Sequence, residues 1–149
     1  MSTAKTSTAQ MAAVFISRWI LGVIFTMAGW WKVFELGAVE HARRYFVEGF
    51  AESWIPLWLL WGLGLLIPYL ELIAGSLVLA GLRLRWTLTT LGVLLIVTTY
   101  GHALQQPLFD IDGHTFTRLA LIVFLLMAGT EQDRGTLDFW LARRNGRAS

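Results

Sequence analysis

RWILGVIFTMAGWWK, residues 18–32, is the stretch whose reading decides the fold. Between Arg18 and Lys32 there is no charged residue, and the apolar run extends upstream to Met11 and downstream to Val33. A block of about 18 or more apolar residues reads as a membrane span rather than as one face of a soluble helix. Working outward, three more such blocks follow, over residues 54–82, 86–104 and 115–129. The whole chain agrees. Of its 149 residues 56% are apolar and 15% charged, whereas soluble domains carry roughly 25% charged residues. Mean hydropathy is +0.58.

These observations predict an all-α protein, an integral membrane four-helix bundle. A disordered tail is expected over residues 1–10, one four-span domain over 11–134, and an interfacial helix and tail over 135–149. The second block is longer than the ~20 residues a span needs, so it should tilt or bend, and Pro68 supplies a cause by removing a backbone donor. The fourth block is short, because Phe109 to His114 is too polar to extend it. The first run passes Ala28 into Trp30 and Trp31 without a small-residue cleavage pattern, so a retained span is expected rather than a cleaved leader.

Cysteine is absent. That excludes disulfides, thiolate nucleophiles, zinc–thiolate sites and iron–sulfur clusters, and redox chemistry would need a bound cofactor or a quinone. The basic balance does not point to nucleic acid, because the cations stand at span ends. Lys5, Arg18, Arg83, Arg85, Arg134, Arg143, Arg144 and Arg147 fall on one side of a four-span layout. Lys32, Arg43, Arg44 and Arg118 fall on the other, offset by Glu35, Glu40, Glu48, Glu52, Asp110 and Asp112. Basic residues favour the cytoplasm in short loops, so both termini are expected there, with loops 34–53 and 105–114 outside. Trp30, Trp31, Trp54 and Trp58 then mark the outer boundary, and Trp19 and Trp86 the inner one. TLDFWLARRNGR, residues 136–147, groups Leu137, Trp140 and Leu141 on one helical face ahead of arginines, which reads as a helix lying on the membrane surface.

Arg18 and Lys32 are about 21 Å apart along a helix and within about 40° of one stripe. Gly22 and Gly29 lie near that stripe, where small residues let a second helix approach. Glu71 stands inside the second block. A charge at mid-bilayer costs about 3 kcal/mol or more unless paired or wetted, so Arg18 and Glu71 are expected to pair inside the bundle. Such a pair either only docks the first two helices or lines a proton or small-molecule site, with Glu71 and Arg18 as the chemical groups. A second polar group gathers at the outer level: Lys32, Tyr100, His102, Gln105, Gln106, Asp110, Asp112, His114 and Arg118. It reads either as a wet interface, with Arg118 reaching Asp110 or Asp112, or as a mouth in which Lys32, Tyr100, His102 and Arg118 hold a quinone head or an oxyanion. His41, His102, His114 and Glu40 show no recognisable metal-ligand spacing, so no metal site is assigned. Trp54, Trp58 and Trp61 could flank a ring or face lipid.

The order Arg18, Leu21-Gly22, Phe25, Ala28-Gly29, Lys32, then Glu71, Gly75 and Gly81-Leu82, resembles the DoxX-like membrane proteins (DoxX/DoxD type). The resemblance covers residues 17–82. It implies a small four-helix membrane protein, often a subunit of something larger, in a family with a thiosulfate:quinone oxidoreductase subunit and with assembly factors. By position it favours Arg18, Lys32 and Glu71. The expected function is a quinone-contacting subunit of a membrane oxidoreductase system in a cell membrane, a bacterial inner membrane on this reading, with quinone as cofactor and other membrane subunits or further copies of the chain as partners. Two alternatives stay open: a non-catalytic accessory or assembly subunit, and a small-solute or proton pathway.

Overall fold

The computed structural model describes residues 8–106, 115–129, 133 and 135–145, and every element among them is helical. Helix α1 (Thr8–Trp30) runs into a π-helical segment, Trp31–Glu35. A short α2 (Ala38–His41) and a second π-helical segment, Ala42–Glu48, lead to α3 (Leu57–Ala80). Then come α4 (Leu84–Gln105), α5 (Thr117–Ala128) and α6 (Leu137–Asn145). α1 with its π extension, α3 and α4 are long and apolar enough to cross a membrane. α5 is apolar but has 12 residues, about 18 Å of helix against a hydrocarbon core of about 30 Å. The fourth block is therefore helical where expected, and its described helix is shorter than a full span. α1 also begins inside the stretch read as a tail; residues 1–7 lie outside the described residues.

α1 packs along α3, and both α1 and α4 pack against α5, while α4 also meets α3. The core between them is built from Leu21, Phe25, Val78, Leu88, Leu91, Ile122 and Leu125, all buried. The outward faces are equally apolar: Ile16, Met27, Trp58, Ile73, Val93, Ile96 and Met127 are exposed. A water-soluble domain does not present such a continuous apolar surface, and lipid is the solvent that suits it. Polar side chains on these faces satisfy themselves locally. Ser76, Thr89 and Thr90 each donate to the carbonyl four residues earlier, which hides the hydroxyls from the bilayer.

The α1–α3 seam is set by glycines. A Cβ on Gly29 would lie 2.4 Å from the Leu72 amide nitrogen, and one on Gly75 would lie 2.5 Å from that of Thr26. Gly22 likewise faces Leu79. These contacts define an antiparallel register in which Arg18 stands across from Arg83 and Glu71 across from Trp30. The reversal at the end of α3 uses Gly81 at φ 68° and Arg83 at φ 47°. A left-handed arginine costs roughly 1–2 kcal/mol, so neighbouring contacts must hold it. Asp138 of α6 supplies them: its amide donates to the Gly81 carbonyl at 3.1 Å, and its carboxylate accepts from the Leu84 amide at 3.2 Å.

Candidate functional site

Two buried ion pairs divide the α1–α3 seam, and neither is the expected one. Arg18 does not meet Glu71. The register offsets them by twelve residues of α1, about 18 Å, more than an arginine side chain spans. Each takes a different partner.

Arg18 is fully buried. Its Nε donates to Asp133 Oδ2 at 2.8 Å, Nη1 to the carbonyls of Val78 at 3.0 Å and Leu79 at 2.5 Å, and Nη2 to the Gly135 carbonyl at 3.2 Å. Val78 and Leu79 close α3, where the last-turn carbonyls lack helical donors and the helix dipole attracts a cation. The rings of Phe15 and Trp19 flank the guanidinium, 5.6 and 5.9 Å from its carbon. Asp133 is also held by the Gly135 amide at 2.9 Å. Arg18 is thus a tie between α1, the end of α3 and the segment leading into α6. With four of its five N–H donors used and the side chain shut from solvent, it is not placed to meet a substrate. Asp133 was not singled out from the sequence, because it sits beyond the fourth span among ordinary polar loop residues.

Glu71 accepts from Lys32 Nζ at 2.5 Å. Its side chain is 5% exposed and that of Lys32 23%, so the pair is sunk into the seam with one edge open. The bond uses one of three ammonium donors. Lys32 sits in the π-helical segment Trp31–Glu35. Such wide turns are uncommon and recur at functional sites, and a second one begins directly after His41.

His41 completes this neighbourhood. It is buried, and its Nδ1 lies 2.8 Å from the Gly64 carbonyl. That carbonyl is the one whose helical donor would be the amide of residue 68, and residue 68 is proline. The carbonyl can only accept, so Nδ1 carries the proton and Nε2 keeps its lone pair. Gly64 makes the approach possible, since a Cβ there would lie 2.6 Å from Ala42 Cα. Burial holds the imidazole below its ordinary pKa; the Gly64 bond opposes that, the Lys32 charge adds to it and Glu71 opposes it. The sequence reading weighed His41 only as a metal ligand. The available signal was Pro68, which orphans a carbonyl one turn before it. Among the described residues no group of three or more acidic or histidine side chains converges as a metal site.

Of the expected outer mouth, Lys32 bonds to Glu71. Tyr100 and His102 are exposed on the last turns of α4. Gln105 donates to the Gly49 carbonyl at 3.2 Å. The Arg118 guanidinium lies over the Phe25 ring, 5.5 Å from its centre. Asp110, Asp112 and His114 lie outside the described residues. Trp54 and Trp58 are 78% and 73% exposed, facing the surroundings of the protein. What the Lys32–Glu71–His41 group can do chemically is bounded: donate a hydrogen bond from the ammonium and hold a proton beside a buried carboxylate. No protein-family model, curated protein or solved structure matches the chain.

Proposed function

We propose that this chain is a four-helix integral membrane protein with cytoplasmic termini, and that it serves as a quinone-contacting subunit of a membrane oxidoreductase system. The supporting observation is the Lys32–Glu71 pair: a buried carboxylate in the apolar seam, tied to an ammonium that stays partly open, with the exposed aromatic residues Trp30, Trp31 and Phe34 near Lys32 in sequence. The donor set suits a quinone head, since an ammonium donates to a carbonyl oxygen and flat rings pack beside it. Quinone would bring the electron-accepting chemistry, which no side chain here supplies. Lys32 would orient the head by hydrogen bonding, and Glu71 would hold the ammonium in position. The resemblance of the Arg18–Lys32–Glu71 order to DoxX-like proteins points to the same reading.

The test is purification in mild detergent followed by organic extraction and absorbance of the extract. Quinone present with the wild type and lost in Lys32→Ala and Glu71→Gln is the expected result. A folded wild-type protein that carries no quinone and takes none up from added quinone overturns the reading.

A second reading is favoured by Arg18. A fully buried cation that locks helix ends and a surface helix together is architecture rather than chemistry, as in an accessory or assembly subunit. Capture of a larger membrane complex by a quinone-free protein would support it.

A further inference from the structure

The opposite end of the bundle carries a feature that the Lys32–Glu71 group does not use. α6 is anchored at its root. Thr136 packs on Gly81, where an added Cβ would lie 2.6 Å from the threonine Cβ. Asp138 bonds both to the Gly81 carbonyl and to the Leu84 amide. The root also abuts α1, since a Cβ on Gly135 would come within 3.3 Å of the Phe15 ring. α6 therefore starts beside the α3–α4 turn and the outward face of α1.

This anchoring gathers charge. Arg83 and Arg85 are exposed in that turn. Arg143 and Arg144, also exposed, follow Asp138 by five and six residues, about 8–9 Å along the helix. The carboxylates described at this end are turned inward: Asp133 on Arg18 and Asp138 on the Leu84 amide. Among the described residues, exposed cations thus dominate the outer surface at this end. Between them lie exposed apolar groups: Trp86 on α4, and Leu137, Trp140 and Leu141 on one stripe of α6. Arg144 continues that stripe one turn later, where its stem can lie on apolar ground and its head rise to phosphate level.

From this arrangement we infer that α6 and the α3–α4 turn form a binding surface for anionic phospholipid, with Arg83, Arg85, Arg143 and Arg144 taking headgroup phosphates and Trp86 and Trp140 seated at the interface. Guanidinium forks match phosphate oxygens, and an amphipathic helix with a basic edge and an apolar stripe lies in the headgroup plane. The fixed root distinguishes this from loose attraction, because the arginines of two elements are presented together.

Native mass spectrometry of the intact protein, loaded from detergent with equal amounts of phosphatidylglycerol and phosphatidylcholine, tests it. The wild type is expected to retain phosphatidylglycerol preferentially. Each arginine near a charged surface is worth about fivefold in affinity, so R83Q/R85Q/R143Q/R144Q should lose the preference. R143Q/R144Q, which leaves the strained Arg83 position untouched, should lose at least fivefold while melting like the wild type. The charge-matched R43Q/R44Q, on the α2 side of the molecule, should keep the preference. Equal retention of the two lipids by the wild type, retention of the preference by the quadruple variant, equal loss in R43Q/R44Q, or displacement of the lipid by an equal concentration of inorganic phosphate would each overturn the inference.

Discussion

His41 donates through Nδ1 to the Gly64 carbonyl, the acceptor that Pro68 leaves without a helical amide. The last residue of the short α2 helix thereby repairs a gap that a proline makes in a membrane helix. The repair explains why a histidine is buried in the connection between α1 and α3, and why glycine stands where the two meet.

Because the Gly64 carbonyl takes the His41 proton only for want of an amide at residue 68, substitutions at His41 and Pro68 should couple. His41→Ala leaves a buried carbonyl unsatisfied and is expected to cost about 1–3 kcal/mol. In a Pro68→Ala background the helical amide is restored and the same substitution should cost measurably less. Unfolding in graded denaturing detergent checks the cycle, and additive losses would refute the coupling.

His41 also sets a pH dependence. Burial lowers its pKa in the folded protein from the ordinary 6.5, so the unfolded chain takes up the proton first as pH falls. The contribution is complete above about pH 6.5 and is lost as the pH drops from there toward the lowered folded value. Wild-type stability should decline over that window, and His41→Asn should flatten the decline. A thermal-melting series in detergent measures it.

Removing Arg18 should be severe. Arg18→Ala leaves the Asp133 charge buried without its cation and removes a donor from the Val78 and Leu79 carbonyls, a change of about 3–5 kcal/mol. Arg18→Lys should recover little, because one ammonium lacks the fork that reaches four acceptors. Early proteolysis of the α6 segment is the expected signature, since Gly135 loses its tie.

For the other pair, Lys32→Met strands Glu71 in the seam and should destabilise by about 3 kcal/mol. Lys32→Met combined with Glu71→Gln should be closer to wild type than Lys32→Met alone. If the double variant is as unstable as the sum of the singles, the two side chains do not depend on each other.

Gly29→Leu and Gly75→Leu should force α1 and α3 apart, because even a Cβ meets backbone at 2.4 and 2.5 Å. Losses of several kcal/mol are expected. Gly62→Ala, where an added Cβ meets nothing within 4 Å, should change little. Melting temperatures of the three variants decide this.

Glu40, Arg43 and Glu48 offer an internal control. Arg43 bonds to both carboxylates, but all three side chains are exposed, so Arg43→Ala should melt like the wild type in the same series.

Hydropathy alone determined that this chain is helical and suited to a bilayer, and it set the ends of α3, α4 and α5 to within a few residues, because apolar run length and glycine or polar interruptions are local properties. It also marked Arg18, Lys32 and Glu71 as interior charges, since ions in apolar blocks need partners. Tertiary structure decided which partner each ion takes. The antiparallel register, set by backbone contact at Gly22, Gly29 and Gly75, carries Glu71 to Lys32 and leaves Arg18 for Asp133, more than a hundred residues away. Pairing in a bundle depends on relative axial position, and a shift of a few residues changes the partner without changing any local pattern.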